Sequence, residues 1–291
     1  MTTILQLIGS GLGVGSIYAL VALGMIVIYR AANVVNFAQG DFSMLAAFAL
    51  TVAIAGIHSS YGVAFIIAIL VMAVVGVLFE LGVYYPLRNR SFLPVVISTI
   101  GASILFQNFS LYAFGAAPRR VEAPFSVTVV DIFGAKIAPQ YILIIVITAI
   151  LVLFQYFFFE KTLIGKKLQA TAQDKETARL LGVPINLMIA ITFIYSTVLG
   201  GIAGILVAPI IFVTTGMGVM ISLKAFAACI VGGFGSITGA IIGGLTIGII
   251  ETFGAAYISP VYRDAFAFIL LILVLLLKPQ GIFGEKISEK A

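Results

Sequence analysis

Long uninterrupted apolar stretches constrain the fold of this chain more than any other feature. None of them shows the period-2 polar alternation of a barrel strand, so each is predicted to be a helix. A helix needs about 20 apolar residues to cross a bilayer core. The seven stretches lie at residues 4–28, 42–57, 61–79, 92–115, 138–159, 185–213 and 265–277, and a broken glycine-rich stretch follows the sixth at 217–250.

The composition agrees with a membrane protein. Of 291 residues, 62% are hydrophobic and only 9% are charged, whereas a soluble domain is about 25% charged. We therefore predict an all-α, polytopic helical membrane protein with about eight transmembrane helices. Eight spans take about 160 residues, which leaves no room for a separate soluble domain. Residues 1–291 are predicted to form a single membrane domain, with long connections at 116–137 and 160–184.

Basic residues predict the orientation, because an excess of Lys and Arg stays on the cytoplasmic side. With the N-terminus outside and the C-terminus inside, the loop 160–184 is cytoplasmic and the loop 116–137 is extracytoplasmic, where it could form a small hairpin. The inside then holds eleven basic residues, namely Arg30, Arg88, Arg90, Lys161, Lys166, Lys167, Lys175, Arg179, Lys278, Lys286 and Lys290. The outside holds five, namely Arg119, Arg120, Lys136, Lys224 and Arg263.

The residues usual in catalysis are scarce. One cysteine, Cys229, and one histidine, His58, exclude a cysteine metal cluster and make metal or triad catalysis improbable. The chain lacks the P-loop pattern G-x-x-x-x-G-K-[ST], so we expect no ATP hydrolysis by that route. We predict a non-catalytic protein with no metal site. Glu80 and Glu251 are expected at membrane interfaces.

A polar segment, residues 33–42, interrupts the first two apolar stretches. Asn36, Gln39 and Asp41 stand there in apolar surroundings, and an Asp at the centre of a span costs roughly 2.5–3.5 kcal/mol. The segment should therefore lie at the interface or line a wet cavity, as a broken or re-entrant stretch. One hypothesis is a half-helix end that faces a polar substrate; the other is an interfacial turn before a helix capped by Asp41 or Ser43.

The stretch 217–250 must cross the membrane an even number of times if the C-terminus is inside. Its halves, 218–233 and 235–250, are 16 residues each, or about 24 Å as helix, short of a core of about 30 Å. We favour a broken or re-entrant pair over two short spans. Unwound backbone at the break can face a substrate path, although glycines also allow close helix packing. The candidate path residues here are Gly232, Gly233, Gly235 and Ser236.

The loop 160–184 is the most polar part of the chain. Residues 169–181 lack Gly and Pro and alternate apolar with charged positions, so they predict one short amphipathic helix outside the bilayer. Gly182 and Pro184 should end it. Such a helix suits a groove on a cytoplasmic partner, and anchoring at the lipid headgroups is the alternative.

At these segments the sequence resembles the inner-membrane permeases of branched-chain amino acid ABC importers, of the LivH type. The matching stretches are VVNFAQGDFSMLAAF, ETARLLGVP, LKAFAACIVGGFGSITGAIIGGLTIGIIE and KPQGIFG. The second also resembles the importer signature E-A-A-x-x-x-G, with Glu176, Ala178 and Gly182 in place and Thr177 where the family usually has Ala. The resemblance implies that the loop helix couples to an ATPase through Ala172, Asp174, Glu176, Ala178, Arg179 and Gly182.

The resemblance further implies a bacterial inner-membrane permease that moves substrate inward by ATP-driven alternating access. Its implied partners are a LivM-type second permease in a heterodimer, two cytoplasmic ABC ATPases that bind ATP and Mg, and an extracytoplasmic solute-binding protein. No nucleic acid is expected, because the basic residues form no aromatic-interleaved face. The implied substrates are branched-chain or other apolar amino acids. A permease for urea and short amides, or an ion-coupled secondary carrier, is the alternative.

Overall fold

The computed structural model describes residues 2–125, 129–132 and 134–284. Eight helices of this part are long and apolar enough to cross a membrane. This confirms the predicted all-α polytopic architecture of about eight spans.

The described residues form eleven α-helices and one two-stranded sheet. In chain order these are α1 (Thr2–Ala32), α2 (Gln39–Ile57), α3 (Tyr61–Phe79), α4 (Phe92–Phe114), β1 (Val130–Ile132), β2 (Ala135–Ile137), α5 (Pro139–Lys161), α6 (Leu163–Gln173), α7 (Lys175–Leu180), α8 (Ile185–Val207), α9 (Met217–Gly232), α10 (Ile237–Tyr257) and α11 (Arg263–Leu277). A π-helical turn, Glu80–Tyr84, extends α3, and short 3₁₀ turns lie at Tyr85–Leu87 and Pro260–Tyr262.

Helix α1 is the central element of the bundle. It packs against α5, α8, α9 and α10, and nearly all of its residues from Gly11 to Ile28 are buried. Glycines bring α1 and α10 into close contact: a Cβ on Gly15 would lie 2.8 Å from the Gly244 carbonyl oxygen. Small residues at helix contacts are what membrane helices use to pack closely in lipid.

The bundle has two distinct ends. At the end called here the loop end, Lys175 donates to the Ala32 carbonyl over 3.3 Å, and the tail residue Phe283 donates to the Gly232 carbonyl over 2.8 Å. The loop 160–184, the end of α1, the end of α9 and the tail therefore lie together. At the opposite, hairpin end, the start of α1 contacts β2.

Both predicted breaks are present. Residues 33–38 interrupt the helix between α1 and α2, and residues 233–236 separate α9 from α10. The predicted equal half-lengths are wrong for α10, which continues to Tyr257 and has 21 residues, or about 31 Å. It is long enough to cross the membrane, whereas α9, at 16 residues, is shorter than a typical span.

The prediction of one helix in the loop 160–184 is also wrong. Asp174 adopts an extended conformation between α6 and α7, because its side chain accepts the free backbone N–H groups of Glu176 and Thr177 and so begins a new helix. Gly182, at a φ of 79°, follows the end of α7, as predicted.

The hairpin predicted in residues 116–137 is confirmed. Strands β1 and β2 are antiparallel, with Asp131 opposite Lys136. Upstream, Arg119 pairs its backbone with Val213 in the connection between α8 and α9. Lys286 and Lys290, assigned above to the inside, lie outside the described residues.

Candidate functional site

The polar break before α2 lies inside the bundle. Gln39 donates to the Ser196 carbonyl over 3.0 Å, and Ser196 is eleven residues into α8, about 16 Å from its start. Helix α2 therefore begins roughly halfway along α8. Asn36 and Gln39 are fully buried, so the interpretation as an interfacial turn is wrong.

Hydrogen bonds from neighbouring backbone hold this break. Asn36 Oδ1 accepts the Ala38 N–H over 3.0 Å, and the Ser196 hydroxyl donates to the Gly24 carbonyl over 2.8 Å. The Ser43 hydroxyl donates to the Gly200 carbonyl over 2.7 Å. No side chain caps the N-terminus of α2, so the predicted capping by Asp41 or Ser43 is wrong.

Asp41 is the exception among these polar groups. Its side chain is 1% exposed, and neither carboxylate oxygen has a hydrogen-bond partner among the described residues. Ser103 and Gln107 on α4 lie close to this carboxylate. A buried carboxylate without a partner is costly in a membrane, which makes Asp41 a candidate functional residue.

Helix α4 contributes a polar stripe that the sequence reasoning missed. Thr99, Ser103 and Gln107 follow one another at the spacing of a single helix face. Thr99 Oγ1 accepts the Phe37 N–H over 3.2 Å, which fixes this face of α4 toward the break. The i, i+4, i+8 spacing of hydroxyl and amide side chains in an otherwise apolar span was the available sequence signal.

The glycine turn between α9 and α10 lies at the loop end, apart from Asp41. Gly233 and Gly235 have φ angles of 108° and 95°, a region that favours glycine. Ser236 caps α10 by accepting the Gly239 N–H over 3.0 Å. The tail covers the turn, since a Cβ on Gly233 would lie 2.5 Å from the Gly284 nitrogen.

A cavity of about 900 Å³ opens beside this turn. Its walls include Arg30 from α1, Gln169 from α6 and Gln280 from the tail, and the path candidates Gly235 and Ser236 also line it. The predicted path residues therefore form two groups, one around Asp41 and one around this cavity.

Aromatic side chains connect the two groups. Phe37, next to the polar break, packs against Phe226 with ring centroids 5.7 Å apart. Phe226 contacts Phe234 at 5.9 Å, and Phe234 meets Tyr29 edge-on at 4.6 Å. A continuous row of four rings thus runs from the α2 break to the glycine turn.

The candidate coupling residues lie on an exposed projection at the loop end. Ala178 is buried against the bundle, and Lys175 is half-buried with a pKa lowered by that burial. Glu176 and Arg179 are exposed, and Leu180 and Leu181 are 88% and 78% exposed. Ala172 and Asp174 line a second cavity of about 470 Å³ between α6, α7 and the end of α1.

A buried ionic cluster near the hairpin end was not foreseen. Lys224 Nζ lies 2.6 Å from Glu251 Oε1 and 2.6 Å from Asp264 Oδ1. Tyr18 donates to Glu251 over 2.9 Å, and Arg263 Nε lies 2.8 Å from Glu251 Oε1. Lys224 is thus buried in α9, not in an outer connection, and Glu251 is fully buried beside it. Glu80 is also buried, at 4% exposure.

Comparison with known proteins places this architecture in a family. Residues 7–275 match the family model described as branched-chain amino acid transport system / permease component. The chain is 35% identical to the high-affinity branched-chain amino acid permease LivH of Salmonella typhimurium, over 98% of this chain and 97% of that protein. The same identity and coverage hold for BraD of Pseudomonas aeruginosa. The probable LivH of Methanocaldococcus jannaschii is 29% identical over 92% of this chain and 89% of that protein.

A solved structure, PsaBC from Streptococcus pneumoniae in complex with Fab, shares the fold, with a TM-score of 0.52 at 13% identity. The alignment covers 94% of this chain and 92% of that chain. The protein is thus a multi-pass membrane subunit without catalysis of its own, which works in an ABC transport system with ATPase and solute-binding partners. By the family match and by its identity to LivH and BraD, the chain belongs to the branched-chain amino acid transport system permease family.

Proposed function

We propose that the chain imports branched-chain or other apolar amino acids, with a LivM-type second permease completing a heterodimer. The N-terminus lies outside and the C-terminus inside, so that the loop end is cytoplasmic. Two ATPases bind ATP and Mg and dock on this end. Support for the substrate class comes from the relatives named above, whose names specify branched-chain amino acids.

The observation that carries the coupling role is the exposed end of α7. Leu180 and Leu181 present large apolar side chains outside the spans, beside the charged Glu176 and Arg179. An apolar centre with a charged rim is the usual composition of a protein docking surface. Because α7 also contacts the bundle through Ala178 and Lys175, a force on α7 reaches the ends of α1 and α8.

The ATPase coupling is tested in proteoliposomes that contain the complete complex and its binding protein. Glu176→Lys and Gly182→Val should abolish leucine uptake and leucine-stimulated ATP hydrolysis, with the permease still present in the membrane. Arg90→Glu reverses an exposed charge at another connection and serves as the matched control with near-normal uptake. Normal uptake by both loop variants would refute the coupling role.

A permease for urea and short amides is the second candidate. The glycine turn and its cavity would serve a small neutral amide as well as an amino acid. Uptake of labelled leucine compared with uptake of labelled urea separates the two, since a urea permease accumulates urea but not leucine and an amino acid permease does the reverse. Uptake driven by an ion gradient without any ATPase would instead identify a secondary carrier.

A further inference from the structure

Two helix N-termini meet at the polar break. A Cβ on Gly40, in the first turn of α2, would lie 2.7 Å from the Ser222 nitrogen in α9. A Cβ on Gly218, in the first turn of α9, would lie 2.7 Å from Asp41 Oδ1. Only glycine fits at these two contacts, so the first turns of α2 and α9 pack with their backbones together beside the Asp41 carboxylate.

Neither N-terminus has a side-chain cap. The first N–H groups of a helix lack intrahelical acceptors and carry a partial positive charge of about half an elementary charge. Uncapped N-termini of broken membrane helices bind anionic groups of substrates. Turn carbonyls already accept the N–H groups of Gln39, Asp41 and Met217. The remaining N–H groups where α2 and α9 meet can donate to a carboxylate.

The Asp41 carboxylate supplies the opposite charge. It is 1% exposed, and both oxygens lack hydrogen-bond partners in the described part of the chain. Gln39 and Ser43 donate elsewhere, to the Ser196 and Gly200 carbonyls. Ser103 and Gln107 on α4 lie close enough to donate to Asp41, and Gln107 also donates to Ser103 over 2.9 Å. A carboxylate has about four lone-pair positions, so Asp41 keeps acceptor capacity for a cationic donor beside these two side chains.

We propose that Asp41 and the N-termini of α2 and α9 form the recognition site for a free α-amino acid in this permease. The Asp41 carboxylate accepts hydrogen bonds from the substrate ammonium, and the uncapped N–H groups donate to the substrate carboxylate. Ser103 and Gln107 on α4 form the opposite wall. This inference rests on the proposed function and deepens it, because it names the protein groups that bind the ammonium and the carboxylate of the substrate.

The arrangement distinguishes substrate classes by charge. A zwitterion satisfies both the acid and the helix N-termini, whereas urea or a sugar leaves Asp41 without a cation. The site is closed in this conformation, as alternating access requires of one of its states.

The test uses the purified complex in nanodiscs without its binding protein, so that only the transmembrane site selects ligands. Binding of labelled leucine is competed with unlabelled leucine, with 4-methylvalerate, which lacks the ammonium, and with urea. The wild-type complex should prefer leucine over 4-methylvalerate by roughly 10- to 100-fold, the range expected for one charge-assisted hydrogen-bonded contact.

Asp41→Asn should remove most of this preference by weakening leucine binding and leaving 4-methylvalerate binding unchanged, and Asp41→Glu should retain part of it. Glu80→Gln neutralises another buried acid and should keep the wild-type preference. Equal affinities of the wild type for leucine and 4-methylvalerate would overturn the proposal, even if the Asp41 variants fail to assemble. An equal loss for both ligands in Asp41→Asn would overturn it as well, since that result indicates a structural role. Binding of urea but not leucine by the wild type would instead contradict the proposed function.

Discussion

Lys224 Nζ on α9 lies 2.6 Å from Glu251 Oε1 on α10, and the two side chains are 7% and 0% exposed. The ammonium also bonds Tyr18 on α1 and Asp264 on α11. One lysine thus joins four helices near the hairpin end, where charges that lack partners would be costly in lipid.

We predict that Lys224→Met destabilises the permease by about 3 kcal/mol, the lower end of the range for breaking a buried ion pair, because Arg263 remains 2.8 Å from Glu251 Oε1. The double variant Lys224→Met with Glu251→Gln should recover part of that loss. Thermal unfolding in detergent measures the stability of both variants relative to the wild type. Lys166→Met, which breaks an exposed pair with Glu160 at a similar 2.7 Å, should change the unfolding temperature little. Equal effects of the buried and exposed variants would contradict this account.

The side-chain cap of α7 predicts that the stability of this helix depends on pH. Hydrogen bonds from the Thr177 hydroxyl and from the Thr177 and Glu176 amides lower the pKa of Asp174 below its ordinary 3.8. Because the folded-state pKa is the lower one, the ionised cap stabilises α7 fully above about pH 4 and is lost as the pH falls through the folded-state pKa. The Glu176 and Thr177 amides should therefore be protected from hydrogen exchange near neutral pH, and this protection should be lost in acid.

In the same measurement Asp174→Ala should lose the protection at every pH, and Asp174→Asn should keep much of it through its remaining side-chain oxygen. Protection in Asp174→Ala equal to the wild type would show that the side chain does not hold the N-terminus of α7.

Close backbone contact predicts which glycines resist substitution. Gly40→Ala places a methyl group against Ser222 and the Gly218 backbone and should destabilise the protein by about 1–3 kcal/mol. Gly101→Ala on α4 meets no atom within 4 Å and should be neutral or slightly stabilising, since Ala favours helix. Unfolding temperatures of the two variants test this contrast, and a neutral Gly40→Ala would show that α2 and α9 are not in contact.

The buried cysteine makes the orientation directly measurable. Cys229 is fully buried, so the parent chain should not react with a membrane-impermeant maleimide. Glu122→Cys in the loop 116–137 should be labelled on intact spheroplasts, and Lys167→Cys in the loop 160–184 only after permeabilisation. The reverse pattern would place the loop end outside and exclude docking of cytoplasmic ATPases there.

The residue types of short, continuous segments were sufficient to predict much of the fold. The apolar stretches predict the spans, and the polar residues 33–38 and the glycines 233–235 predict the breaks. Each of these features is encoded by residues that are neighbours in the sequence. The split of the loop helix at Asp174 was missed, since one capping side chain outweighed the helix propensity of its neighbours.

Relationships between distant segments could not be predicted in this way. Lys224 and Glu251 are 27 residues apart, and only the antiparallel packing of α9 on α10 brings them together. The approach of Ser103 and Gln107 to Asp41 likewise depends on the placement of α4 against α2. The sequence shows which side chains are polar, but tertiary packing decides which of them have partners.

The most direct test of the account measures uptake of labelled leucine into proteoliposomes that contain this permease, its second permease, the two ATPases and the binding protein. The account predicts accumulation that requires ATP hydrolysis, that is lost with Glu176→Lys, and that excess urea does not compete. Leucine uptake without ATP, or no leucine uptake by the complete and ATP-hydrolysing complex, would contradict it.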